Sequence, residues 1–131
     1  MVDSAQGRGA NTRPIPLEIK LKQRSRKLAI RFNDGACFEL SCEFLRVYSP
    51  SADVKGHSGQ DRVLQVGKEA VNITAIEPVG NYAVKLVFDD GHSTGLYSWD
   101  YLHDLGVNQN RYWVDYLDAL KQASHLRRPI A

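Results

Sequence analysis

Cysteine is scarce in this chain: Cys37 and Cys42 are the only two among 131 residues. Two thiols cannot build the disulfide framework of a small secreted domain, and a reducing compartment keeps such a pair free. Charge of one sign is lacking too. The 17 Lys and Arg against 15 Asp and Glu leave a formal net charge of +2, which gives no global pull toward nucleic acid or an anionic membrane. No stretch approaches the roughly 18 consecutive apolar residues of a membrane-spanning helix. The opening residues, Met-Val-Asp-Ser-Ala-Gln-Gly-Arg-Gly-Ala, hold no apolar segment of signal-peptide length, so a cytoplasmic location is expected. Also missing are a glycine-rich phosphate loop, a Gly-x-Ser-x-Gly elbow and a metalloprotease helix motif. The adjacent carboxylates Asp89 and Asp90 are explained by turn chemistry, without a general acid–base pair.

What is present divides into short periodic segments. Residues 1–13 are small and polar and cannot bury enough apolar area to offset ordering entropy, so a disordered tail is expected there. A single domain is expected over residues 14–126, with 127–131 as a flexible end. Leu17, Ile19 and Leu21 alternate with Glu18, Lys20 and Lys22, the period of a half-buried strand. Leu28, Ile30 and Phe32 repeat the pattern, Asn33-Asp34-Gly35 is a turn, and Phe38 and Leu40 continue on the return strand. Ser41 is placed to cap a short helical segment through Arg46 or Val47. Tyr48 to Gln60 reads as a long loop, Val63, Leu64 and Val66 as a short strand, and Ile73 to Ile76 as a strand ended by Pro78. Val84, Leu86 and Phe88 lead into a second turn, Asp89-Asp90-Gly91, and a return strand to about Leu96. Ser98 caps a helix that Gly106 is expected to close. A last helix from about Asn110 to Ser124 carries Trp113, Tyr116, Leu117 and Leu120 as one apolar stripe. The expected fold class is α+β: mostly antiparallel sheet built from hairpins, with two short-to-medium helices near the C-terminus.

The chain also echoes itself. Phe32-Asn33-Asp34-Gly35 matches Phe88-Asp89-Asp90-Gly91, and the segment Ser41 to Arg46 matches Ser98 to His103. Both copies read strand, Asp-Gly turn, strand, capped helix, so two such units could pack as halves around one core.

The run from Phe88-Asp89-Asp90-Gly91-His92-Ser93 to Trp99-Asp100-Tyr101-Leu102 is joined by Phe38-Glu39-Leu40 leading into Phe44-Leu45-Arg46. Together they resemble the DUF971 family, the N-terminal domain of gamma-butyrobetaine hydroxylase-like proteins, over roughly Ile15 to Leu126. The resemblance implies an α+β domain of mostly antiparallel strands. Members stand alone, precede a hydroxylase domain or are fused to P-loop ATPases of the iron–sulfur carrier type, which makes such an ATPase the implied partner class. In the hydroxylase branch the domain binds zinc through a Cys-x-Cys-x-x-Cys loop and the histidine of the Asp-Gly-His turn. The corresponding positions here are Ser49, Ser51, Val54 and His92, so three of four donors are lost. Structural zinc takes thiolate or imidazole donors in a closed tetrahedron. The implied site is therefore degenerate, and no metal or cofactor is expected. The hydroxylase's His-x-Asp iron motif has no counterpart, because His103 and Asp104 are adjacent.

Other constellations remain. Cys37, Cys42, His57 and His92 form an alternative metal- or cluster-handling set, although Cys-x4-Cys is not a zinc-knuckle spacing and free thiols often serve as small core residues. Lys20, Lys22, Arg24, Arg26, Lys27 and Arg31 make a basic strip across the first hairpin. A nucleic-acid site would interleave stacking aromatics, and Glu18 and Glu39 neutralise part of the strip, so edge protection is the preferred reading. Membrane and nucleic acid are not expected partners. Tyr97, Trp99, Tyr101, Tyr112, Trp113 and Tyr116 concentrate aromatic surface in the C-terminal half, and their polar tips suit interfaces. His92, Trp99, Tyr101 and His103 are the candidate partner surface; the alternative for His92 is a relic of the zinc position, bonded to loop backbone. The whole points to a non-catalytic intracellular accessory module that binds another protein.

Overall fold

The structure, a computed structural model of the chain, describes residues 13–50, 64–93 and 95–123. Among the described residues, alternating segments give six strands: β1 (Pro16–Lys22), β2 (Lys27–Phe32), β3 (Cys37–Ser41), β4 (Ile73–Val79), β5 (Ala83–Phe88) and β6 (Leu96–Ser98). Three helices accompany them: α1 (Cys42–Val47) after β3, and α2 (Trp99–Val107) and α3 (Gln109–Gln122) after β6. Every strand pairing is antiparallel, in two three-stranded sheets of order β1-β2-β3 and β4-β5-β6. The fold is α+β, as the patterning implied. Leu28, Ile30 and Leu40 of the first sheet share one buried cluster with Ile73, Leu86 and Tyr97 of the second, and Leu45, Leu102 and Leu105 fill it from α1 and α2. One core thus uses the inward alternation of both sheets.

The internal echo is a structural repeat of three strands followed by a helix. In the first unit, Asn33 N–H donates to Ile15 O (2.9 Å) and Ile15 N–H returns to Asn33 Oδ1 (3.1 Å). In the second, Asp89 N–H donates to Asn72 O (2.9 Å) and Asn72 N–H returns to Asp89 Oδ1 (3.0 Å). Both turns close through glycine: Gly35 N–H donates to Phe32 O (3.1 Å) and Gly91 N–H to Phe88 O (3.2 Å). Their φ values of 89° and 91° lie where a side chain is strained. Ser41 Oγ accepts from Phe44 N–H (3.0 Å) and Ser98 Oγ from Tyr101 N–H (3.1 Å), so both expected caps are made. Even the irregularities correspond: register shifts once in each first strand, at Leu17 and at Thr74.

Several local expectations are corrected. β4 does not stop at Pro78 but runs to Val79, with Pro78 paired to Val84. Proline is tolerated there because β4 is an edge strand, whose outward N–H is not needed by a neighbour. Leu17 is exposed, because it is the extra residue in its strand's irregularity. Leu64 and Val66 form no strand; Leu64 packs instead against Val47, Tyr116 and Leu120, and Val63 lies outside the described residues. In α3, Tyr116 and Leu120 are buried while Leu117 stays exposed, which narrows the apolar stripe. Gly106 does not close α2. It sits inside the helix, which runs to Val107 and is capped by Asn108, and a Cβ there would stand 2.3 Å from Phe38 Cδ2. The glycine is a seat for the Phe38 ring. Gly106→Ala is expected to lower stability in urea unfolding by about 1–3 kcal/mol through overpacking, despite the roughly 1 kcal/mol that alanine gains in helix propensity.

Candidate functional site

Each turn aspartate divides its two oxygens between different partners. Asp34 Oδ1 accepts from Ala36 N–H (2.9 Å), while Oδ2 meets His103 Nε2 (2.8 Å) on α2. Asp90 Oδ1 accepts from His92 N–H (3.1 Å), while Oδ2 accepts from Arg46 Nε (2.8 Å) on α1 and from Lys68 Nζ (2.7 Å). Arg46 and His103 are equivalent positions of the repeat, so the helix of each unit reaches across to the turn of the other. The Ala36 N–H, then His103, hold the Asp34 carboxyl below its ordinary value. Burial pushes the Asp90 carboxyl up, but hydrogen bonds from Lys68, the His92 N–H and Arg46 outweigh it and hold it at about 2. Arg46 Nη1 is the one buried side-chain nitrogen or oxygen among the described residues that has no hydrogen-bond partner.

Beside this cluster, Ser49 Oγ and His92 Nε2 lie 2.9 Å apart, both buried. Gly95 makes room for them, since a Cβ there would stand 2.4 Å from Ser49 Oγ. Ser51, Val54 and His57 lie outside the described residues. The described pair does not fit zinc: a hydroxyl is a poor donor, and it is hydrogen-bonded to the imidazole. Among the described residues no group of three or more His, Cys, Asp or Glu could hold a metal ion. Cys42 is buried, its Sγ 3.6 Å from Asn72 Oδ1, and burial pushes its thiol up to about 11. Cys37 is exposed at the start of β3. The two thiols therefore occupy opposite environments rather than one site.

The strand pairs place Lys20, Lys22, Lys27 and Arg31 on the same outward register as Glu18 and Glu39. Lys22 Nζ donates to Glu39, Lys27 lies 3.9 Å from Glu39, and Arg31 lies 3.8 Å from Glu18. The strip is interleaved with acid. Exposed pairs of this kind contribute little to stability, and their alternating sign suits a solvated sheet face.

The four residues of the candidate partner surface are placed differently. His92 faces Ser49 in the interior. The His103 ring stands edge-on to Phe32 and Phe38, with centroids 4.9 and 5.7 Å away, while it bonds Asp34. Tyr101 is half-buried and its hydroxyl donates to Tyr48 O. Trp99 is half-buried, and its Nε1 donates to Asn81 O (2.7 Å). Trp99 lines a groove of about 290 Å³ with Pro14, Ile15, Tyr82, Ser98 and Asp100. Ile15 is 51% and Tyr82 57% exposed, so the groove opens between uncovered apolar side chains. Sequence reasoning missed Ile15 and Tyr82, whose flanking Pro14 and Gly80-Asn81 mark strand ends and carry no sign of a shared surface.

A family model described as gamma-butyrobetaine hydroxylase-like, N-terminal, matches residues 19–103. The chain belongs to this family. It is similar to a protein whose NMR solution structure is known, at 54% identity over 97% of this chain and 94% of that one, with a TM-score of 0.78. A second NMR solution structure matches at 44% identity, covering 92% and 94%, with a TM-score of 0.77. A crystal structure from Acidithiobacillus ferrooxidans ATCC 23270, of a DUF971 family protein with unknown function, matches at 40% identity over 70% of this chain and 91% of that one, with a TM-score of 0.57. No curated protein matches the chain. Among the described residues no helix is long and apolar enough to cross a membrane.

Two outcomes follow from the electrostatics. The Asp90 carboxyl is depressed in the folded state, so its stabilisation is present above the unfolded value near 3.8 and fades as pH falls toward about 2. Asp90→Asn should remove roughly 2 kcal/mol of stability at pH 7 and should flatten the loss seen in urea melts between about pH 5 and 2. With Ellman's reagent at pH 8, the folded protein should give one fast-reacting thiol, Cys37; Cys42 should react only on unfolding, being buried and protonated.

Proposed function

We propose that this domain is a non-catalytic cytoplasmic accessory module whose work is to bind another protein. The observation that carries this reading is the groove at Trp99, where Ile15 and Tyr82 leave apolar and aromatic surface uncovered beside a polar rim. Aromatic side chains with polar tips around a concave, partly desolvated patch are the usual makings of a recognition surface. In this reading Trp99 makes contact, while His92, Tyr101 and His103 hold the scaffold beneath it through Ser49, Tyr48 and Asp34. The Ser49–His92 pair serves as a fastener at a position to which the family resemblance would assign a zinc ligand. The partner class we propose is a P-loop ATPase of the iron–sulfur carrier type, on the strength of family association.

A photo-crosslinking phenylalanine at Tyr82, irradiated in living cells, should give one discrete higher-mass adduct, and Ile15→Asp should abolish it. An adduct pattern no different from that of the same probe at Lys121, on the exposed side of α3, would sink the proposal.

A further inference from the structure

The groove at Trp99 has a twin within the same molecule. The equivalent place in the first unit is a groove of about 300 Å³ lined by Arg26, Ser41, Glu43, Phe44 and Val71, with Trp113 of α3. The two correspond element by element. Each lies where a hairpin turn meets the start of a helix, joined by the same backbone bond: Cys42 N–H to Arg26 O (2.9 Å) in one, Trp99 N–H to Tyr82 O (3.1 Å) in the other. Each carries the capping serine and a first-turn acid, Ser41 with Glu43 and Ser98 with Asp100.

The difference lies in what covers them. The first groove is flanked by α3, which fastens at three places: the Trp113 ring stands 6.4 Å from Phe44, Tyr116 Oη donates to Glu43 Oε2 (2.8 Å), and Gln109 Nε2 donates to Glu39 O (2.8 Å). The repeat places Asp100 at the position of Glu43 and the Leu96 carbonyl at that of Glu39, while the aromatic surface at the second groove comes from Trp99 and Tyr82 rather than from Tyr101, the counterpart of Phe44. Among the described residues no helix lies across the second groove. Its rim offers a charge of each sign, since the Asp100 carboxylate is 58% and the Arg13 guanidinium 81% exposed, 4.0 Å apart.

We infer that the second groove receives an amphipathic helix of a partner protein, seated as α3 is seated on the first. The inference rests on reading the domain as a binding module and specifies what it binds. The helix carries an aromatic residue to lie against Trp99 and Tyr82, a basic or hydroxyl group toward Asp100 and an acid toward Arg13. A pattern of i, i+3, i+4 anchors on two to four turns suits a groove of this size.

The probe is the acetylated, amidated 14-residue peptide with the sequence of α3, Gln109 to Gln122, added to the full-length ¹⁵N-labelled chain. Saturable NMR shifts are expected at Ile15, Tyr82 and the Trp99 indole, with no response to a scrambled peptide. Tyr82→Ala and Asp100→Asn, both at exposed side chains that leave the core intact, should each weaken binding about tenfold, the loss of one good anchor. The inference is overturned if no saturable shift appears up to about 1 mM peptide, the range of weak specific binding. It is equally overturned if shifts stay around Glu43 and Val71, where the peptide would be displacing α3, or if sedimentation shows a second copy of the chain filling the groove. A crosslinked partner at Tyr82 without peptide binding would leave the module reading standing and remove only the helix; the loss of both would remove both.

Discussion

A carboxylate has two oxygens, and the fold depends on how Asp34 and Asp90 use them. One oxygen of each holds its own tight turn, and the other reaches the helix of the opposite unit. Local geometry and long-range docking are therefore set by the same side chain. Neither half can shift on the other without disturbing the turn that shapes its second hairpin. The two clasps differ in character. Arg46 reaches Asp90 from a mostly buried position and Lys68 shares its acceptor, whereas Asp34 is met by the imidazole of the half-buried His103. The repeat has thus kept one geometry while closing one clasp with a guanidinium and the other with an imidazole.

The position that the family resemblance assigns to zinc is instructive for its energetics. A structural zinc contributes on the order of 10–16 kcal/mol to folding, while a neutral hydrogen bond contributes about 1 kcal/mol. The Ser49–His92 contact therefore contributes only a small fraction of what such a centre would. The region after α1 is secured elsewhere. Tyr97 donates to the Leu45 carbonyl, Tyr101 to that of Tyr48, and Tyr48 to that of Tyr112, which ties α1 to β6, α2 and α3. The first two hydroxyls satisfy carbonyls at the end of the short helix that would otherwise be left open, and the third adds a bond to a carbonyl inside α3.

Much of this could be read before any coordinates. β1, β2, β3 and β5, both Asp-Gly turns, both serine caps and the echo between the units are set by neighbours a few residues apart, and such signals survive in a bare sequence, whereas the return strand expected to end near Leu96 begins there. Gly106 misled because a helix interior and a helix end both use glycine; only the Phe38 ring, from a distant strand, decides between them. Pro78 misled because proline stops a central strand but not an outer one, and strand order is a tertiary fact. The cross-clasps were hidden for the same reason, although their residues had been aligned as equivalents. Tyr82 and Ile15 were hidden because a groove shared by two strand ends leaves no periodic trace in either.

The paired strand irregularities at Leu17 and Thr74 carry one more consequence. An open sheet offers its outermost strands as templates on which other chains can stack. Here β1 and β4, the outer strands that begin each unit, are both kinked at the same step. β4 also contains a residue unable to donate, and β1 is studded with lysine. On the far sides, β6 is only three residues long and the Glu39 carbonyl of β3 is taken by Gln109. All four rims are thus blunted, which should let the protein be made at high concentration without seeding fibrils.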